Sequence, residues 1–241
     1  MIDYLNYGKT VEDKNVSSMK VSILDQNFPA IVIDNFYDKV EEDLIWNELN
    51  FLIDGDKLLR PEDTGSAMVQ GNTPKKSNSG IFLDMIYIDR NISNILTVNR
   101  KLVQQWNKII PSTIDCWWWK AICSEFSTLI DIDTTLVSYY EQDDHYKTHV
   151  DQSVLTSLTW FYKEPKGFDG GNLILDSTEI EVKSNRMVIF PGIIPHQVTP
   201  VKMKDHFNKG MGRFCISQFL LSDHFNFKNL SRKDLFNFMV K

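Results

Sequence analysis

Between Thr134 and Leu221 the chain is cut into short apolar runs, most of them closed by glycine, proline or other turn-forming residues. The runs are Thr134–Tyr140, Leu155–Tyr162, Asn172–Leu175, Glu179–Val182, Arg186–Phe190, His196–Val201 and Arg213–Leu221. Each is too short for a helix with a buried face and is rich in β-branched and aromatic residues, so each reads as a strand. Seven strands at this density must hide their apolar sides against one another. Two facing sheets, a jelly roll or double-stranded β-helix, achieve this.

The first half follows another period. Val40, Leu44, Ile45, Leu49 and Leu52 recur at near-helical spacing behind the acidic first turn Glu41–Asp43, which predicts a helix. Asn91–Ile110 is a second amphipathic stretch, ended by Pro111. Strands are expected at Phe28–Phe36 and Ile81–Ile88. The expected fold is therefore mainly β with flanking helices, the N-terminal helices buttressing one sheet. At 241 residues the chain suits one domain, with support and flap over 1–133, the β-helix core over 134–221 and a tail over 222–241. Gly55–Gly80 is long and polar, which fits either a flap over a site mouth or an unstructured surface excursion. Trp117-Trp118-Trp119 cannot all share one face, and core packing is the favoured use for most of them.

A formal charge of −6 argues against a nonspecific nucleic-acid or anionic-membrane binder. Three cysteines with no C-x-x-C spacing fit a reducing compartment. Met1–Lys20 lacks an apolar leader core, and no stretch reaches the length of a membrane span, so a cytoplasmic protein is expected.

The chemistry lies in His149-Val150-Asp151, followed by His196 and then Arg213. Side chains two apart on an extended strand point to one side. A second histidine from a later strand would complete two imidazoles and a carboxylate on one face of a metal. That is the facial triad of non-heme iron(II) oxygenases, which leaves positions open for a co-substrate and O2. A structural zinc site is the rival, but it normally takes a fourth protein ligand, and none is evident nearby. Arg213 offers a planar fork for a carboxylate, and Ser217, four residues on, shares its face of the strand.

These residues, with Gly170-Gly171 and the run Phe190–Val198 between them, resemble the Fe(II)/2-oxoglutarate dioxygenases, and within them the prolyl 4-hydroxylase-like branch. The resemblance covers roughly Thr134–Leu221. It implies His149, Asp151 and His196 as ligands of Fe(II), with 2-oxoglutarate and O2 as co-substrates and ascorbate as a conceivable reductant. It implies Arg213 as the partner of the far carboxylate of 2-oxoglutarate, assisted by Ser217. The Arg normally follows the His after a shorter gap, and Lys202–Gly210 reads as an insertion in a hairpin between paired strands. Tyr140 matches the tyrosine that lines the co-substrate pocket, although Tyr139 is a one-residue alternative; Tyr146 matches the second aromatic. Leu158, Trp160 and Val198 are expected as apolar pocket walls. His145, His206 and His224 are assigned to loops or surface.

The implied reaction converts 2-oxoglutarate and O2 to succinate and CO2 while hydroxylating an unactivated C–H bond. The resemblance favours a prolyl residue of a peptide or protein, with a free amino acid or other small metabolite as the alternative. Repair of alkylated nucleic acid is disfavoured by the acidic balance and by the lack of a second arginine after Arg213 in the pattern those enzymes use. A cupin-like binding or sensing protein without turnover is the reading of another class, and the intact set of four residues speaks against it.

Overall fold

The structure is a computed structural model and describes residues 19–24, 30–64, 68–69, 73–110, 130, 132–204 and 209–222. The tryptophan triplet, Cys116, Cys123, His206, His224 and nearly all of the expected C-terminal tail lie outside these residues. The chain enters through β1 (Lys20–Leu24) and β2 (Ala30–Asp34) and turns into α1 (Lys39–Asp54). A small hairpin, β3 (Met68–Val69) and β4 (Thr73–Pro74), precedes β5 (Ser79–Phe82), α2 (Leu83–Ile86), α3 (Asn94–Gln104) and α4 (Trp106–Ile109). The remaining strands are β6 (Ile132–Tyr140), β7 (Tyr146–His149), β8 (Leu155–Phe161), β9 (Phe168–Gly170), β10 (Leu173–Leu175), β11 (Thr178–Ile180), β12 (Arg186–Pro191), β13 (His196–Val198), β14 (Val201–Met203) and β15 (Arg213–Leu221).

A seven-stranded sheet, β1-β2-β12-β8-β15-β6-β5, faces a four-stranded sheet, β11-β10-β13-β7. The large sheet is buried on both sides, and the two-residue pleat sorts its side chains into two cores. Ile31, Ile33, Met187, Ile189, Phe161, Phe214, Ile216 and Val137 pack against the helices. Val32, Val188, Phe190, Trp160, Leu158, Cys215 and Tyr140 point between the sheets.

The helical layer is fixed by caps. Asp38 and Glu41 form a reciprocal capping box at the start of α1. Glu48, buried in α1, accepts the Ser93 hydroxyl at 2.8 Å and the Ile95 N–H at 2.8 Å, so it closes the N-terminus of α3. Ser93 in turn accepts from Leu96 N. This cap is why the expected helix Asn91–Ile110 begins as a short turn at Arg90–Ile92 and restarts at Asn94; the helix breaks a second time at Gln105.

Two strand expectations need correction. Ile81–Ile88 is strand only to Phe82; the chain then coils because the Asp84 carboxylate accepts the Thr135 N–H at 2.7 Å, while Met85 and Ile88 face outward. His196–Val201 is two strands rather than one. β13 pairs with β10 and β7, whereas β14 pairs with β9. β14 and β15 therefore do not pair with each other, and the expected hairpin between paired strands is not formed, since β15 pairs with β6 and β8. Tyr139 anchors the residues just before β15: its phenol oxygen accepts the N–H groups of Gly210 and Gly212 at 2.7 and 3.1 Å.

Candidate active site

The inter-sheet face of the large sheet forms the floor of a cavity of about 470 Å³. Cross-strand register arranges that floor in rows. Tyr140 lies opposite Arg213, Ser138 opposite Cys215 and then Trp160, and Leu136 opposite Ser217 and then Leu158. The small sheet supplies the facing wall, where His149 lies opposite His196 and Tyr146 opposite Val198.

His149, Asp151 and His196 come together with one donor atom of each within 4.8 Å of the others. His149 ends β7 and His196 begins β13, so the pairing of these strands sets one imidazole beside the other, with ring centroids 4.2 Å apart. Asp151 lies just beyond the strand, held by its N–H to the Gly192 carbonyl at 2.7 Å, while Val150 between them is exposed. Nε2 of His149 is 3.7 Å from Asp151 Oδ1, and Nε2 of His196 is 3.4 Å from Asp151 Oδ2.

Each imidazole is oriented through its other nitrogen. Nδ1–H of His149 donates to the Lys147 carbonyl and that of His196 to the Ile194 carbonyl, both at 2.9 Å. Backbone acceptors of this kind select the tautomer that leaves Nε2 as a lone-pair donor. The Thr156 hydroxyl donates to Asp151 Oδ2 at 2.7 Å and accepts in turn from Ser153 at 2.7 Å. Gly192 keeps Ser153 in place, because a Cβ there would lie 2.4 Å from the Ser153 hydroxyl.

The electrostatics suit a cation. Burial, aided by the charge of His196, pushes the His149 imidazole down to about 4, so it is a neutral donor at neutral pH. Burial opposes ionisation of Asp151, but the charge and hydrogen bond of His196 outweigh it and hold the carboxyl below its ordinary range. Burial likewise opposes the charged form of His196, and Asp151 reverses the balance and raises its pKa.

Arg213 is fully buried, with its guanidinium 4.6 Å over the Tyr140 ring and 5.7 Å from that of Trp160. None of its three nitrogens has a hydrogen-bond partner among the described residues. A buried guanidinium stacked on aromatics but lacking an anion leaves five donors unused, which is costly unless a ligand supplies the acceptor. Gly171 (φ 67°) makes room for it: a Cβ there would come within 2.8 Å of Arg213 Cδ. The Gly-Gly turn is thus a close-packing device beneath the arginine.

Tyr140, Ser217, Leu158 and Val198 all line the cavity. Between the two candidate tyrosines, Tyr140 is the one on the cavity side, while Tyr139 packs in the helix-facing core. Trp160 lies under the arginine rather than on the open wall. His145 is half-buried, does not line the cavity, and is bound to Asp143 and Ser77. Thr156, Ser153 and Lys76 have no motif that would single them out in the sequence; they enter only through folding.

Residues 135–221 match the model of the 2OG-Fe(II) oxygenase superfamily. Iron(II), 2-oxoglutarate and O2 are what the superfamily implies, and the His–Asp–His donor set fits iron(II). The chain is similar to a PKHD-type hydroxylase of Herminiimonas arsenicoxydans, 34% identical over 82 residues that make up 27% of this chain and 36% of that protein. A PKHD-type hydroxylase of Bordetella pertussis is 32% identical over 82 residues, with the same coverage of 27% and 36%. The chain thus spans about a third of the length of these relatives. In fold it is similar to a prolyl-4-hydroxylase of Pseudomonas putida, with a TM-score of 0.55, 13% identity, and coverage of 81% of this chain and 94% of that one. Among the described residues no helix is long and apolar enough to cross a membrane.

Proposed function

We propose that the chain is an Fe(II)- and 2-oxoglutarate-dependent dioxygenase that hydroxylates an unactivated C–H bond. The observation that carries this reading is the unpaired, fully buried Arg213 in the same cavity as the His149–Asp151–His196 cluster. His149, Asp151 and His196 hold the metal. Iron bound there supplies the O2 chemistry that an unactivated C–H bond requires.

The protein's own residues bind, orient and exclude. Arg213 takes the far carboxylate of 2-oxoglutarate in a bidentate grip, and Ser217 on the same face adds a hydroxyl. Tyr140 stacks against the guanidinium and lines the cavity. Leu158 and Val198 add apolar wall, which helps to keep water from the co-substrate. Thr156 and the two backbone carbonyls hold the three side chains that would bind the metal in one orientation beside the cavity.

The substrate we propose is a prolyl residue of a peptide or protein, supported by the likeness of the His-x-Asp … His … Arg segment to prolyl 4-hydroxylase-like enzymes. A small acid is a second reading, favoured by the buried Lys76 in the cavity wall. Purified protein with Fe(II), 2-oxoglutarate and O2 should form succinate, measured by mass spectrometry, and Asp151→Ala should reduce it to background. Equal succinate from the two proteins would overturn the proposal.

A further inference from the structure

Lys76 is a buried cation that the proposed chemistry does not use. It lines the same cavity and is only 4% exposed. The segment carrying it runs antiparallel to β7, with Lys76 directly opposite Tyr146. Backbone bonds pin it there on both sides: Lys147 N–H donates to the Lys75 carbonyl at 3.0 Å, and Ser77 N–H to the His145 carbonyl at 3.1 Å.

The pleat decides direction. Lys75 and Ser77 turn outward, where Lys75 Nζ donates to the Thr148 carbonyl at 2.9 Å and Ser77 meets His145. Lys76 therefore turns inward, on the face it shares with Tyr146, whose ring stacks 3.6 Å from that of His149. The ammonium has no hydrogen bond or ion pair with any described residue. Burial alone pushes its pKa down to about 8, which leaves it mainly charged at neutral pH. A desolvated ammonium without a partner is unfavourable, and lysine is seldom buried unless something pairs with it.

Charge bookkeeping points to the partner. Among the described residues the cavity wall carries one carboxylate, Asp151, and two basic side chains, Arg213 and Lys76. A divalent metal and doubly negative 2-oxoglutarate cancel each other, and Asp151 offsets Arg213. The positive charge of Lys76 is left over.

We infer that Lys76 anchors an anionic group, a carboxylate in the simplest case, of the primary substrate. The inference rests on the oxygenase reading and narrows its substrate to molecules with an acid group near the reacting C–H bond. That acid belongs either to a free amino acid or similar metabolite, or to an acidic side chain of a peptide.

The test uses full-length protein loaded with Zn(II) and N-oxalylglycine, so that the metal site and Arg213 are occupied. The 13Cε signal of Lys76 is followed by NMR while propionate or propionamide is added. Propionate should shift the signal saturably and propionamide should leave it unmoved. Lys76→Met should weaken propionate binding at least tenfold and alter N-oxalylglycine affinity less than twofold, whereas Lys76→Arg should retain both. N-acetyl-L-proline and the amidated dipeptide N-acetyl-Pro-Asp then distinguish a free acid from a peptide side chain, according to which competes with propionate. Equal response to propionate and propionamide would overturn the inference. So would a loss of N-oxalylglycine binding in Lys76→Met, which would give Lys76 to the co-substrate. If the wild type bound neither Zn(II) nor N-oxalylglycine, the oxygenase reading itself would fall.

Discussion

The two faces of the large sheet are made by the same strands and are chemically opposite. On β15 the helix-facing side is mostly apolar: it carries Phe214, Ile216 and Leu220, with Gln218 as its one polar residue, buried and donating to the Asn99 carbonyl and to Asp133. The cavity side of the same strand carries Arg213, Cys215 and Ser217. β6 repeats the division, with Val137 and Tyr139 on one side and Ser138 and Tyr140 on the other. One face stabilises the domain; the other gives up packing to hold charge and hydroxyl groups in reach of ligands. Adjacent residues on one strand thus answer to different selection, and single substitutions should separate them.

The largest expected effect is on the apolar face. Phe214→Ala should cost about 3–5 kcal/mol of stability, since its ring is fully buried against Tyr139 and Trp46. Whatever fraction remains folded should bind 2-oxoglutarate normally, as seen by calorimetry beside denaturant melts. One residue earlier, Arg213→Met should do the reverse. It should weaken 2-oxoglutarate by about 2–4 kcal/mol while leaving the melting temperature unchanged or higher, because an unpaired buried charge is removed. A fall in stability with intact co-substrate affinity would erase the contrast between the faces. Smaller still, Thr156→Val should lower metal affinity roughly tenfold by freeing Asp151 Oδ2, without a matching change in 2-oxoglutarate affinity at saturating metal.

The same division explains what could be read in the sequence. Alternation along Thr134–Tyr140 and Arg213–Leu221 marks strands because each has a face that must be buried, and both strands form. The order His149, Asp151, His196, Arg213 is legible because metal and carboxylate chemistry demand those side chains, and the fold gathers all four around one cavity. The break between Val198 and Val201 was not legible, since it depends on which of two sheets each half pairs with. Nor was Lys76. A lysine between Lys75 and Ser77 in a polar stretch reads as solvent-exposed, and only its register against Tyr146, seventy residues away, turns it inward. Thr156 is hidden for a similar reason: its hydroxyl matters through a bond to Asp151 that no local pattern announces.

The shared cap at Glu48 has a consequence for how the outer layer moves. Because one carboxylate from α1 holds both the Ser93 hydroxyl and the Ile95 amide, the first turn of α3 loses its terminus whenever α1 lifts away. The two helices therefore exchange their amide hydrogens as one opening unit rather than fraying separately. The plate behind the large sheet comes away whole or stays whole, so thermal loosening there reaches the strands under the cavity all at once.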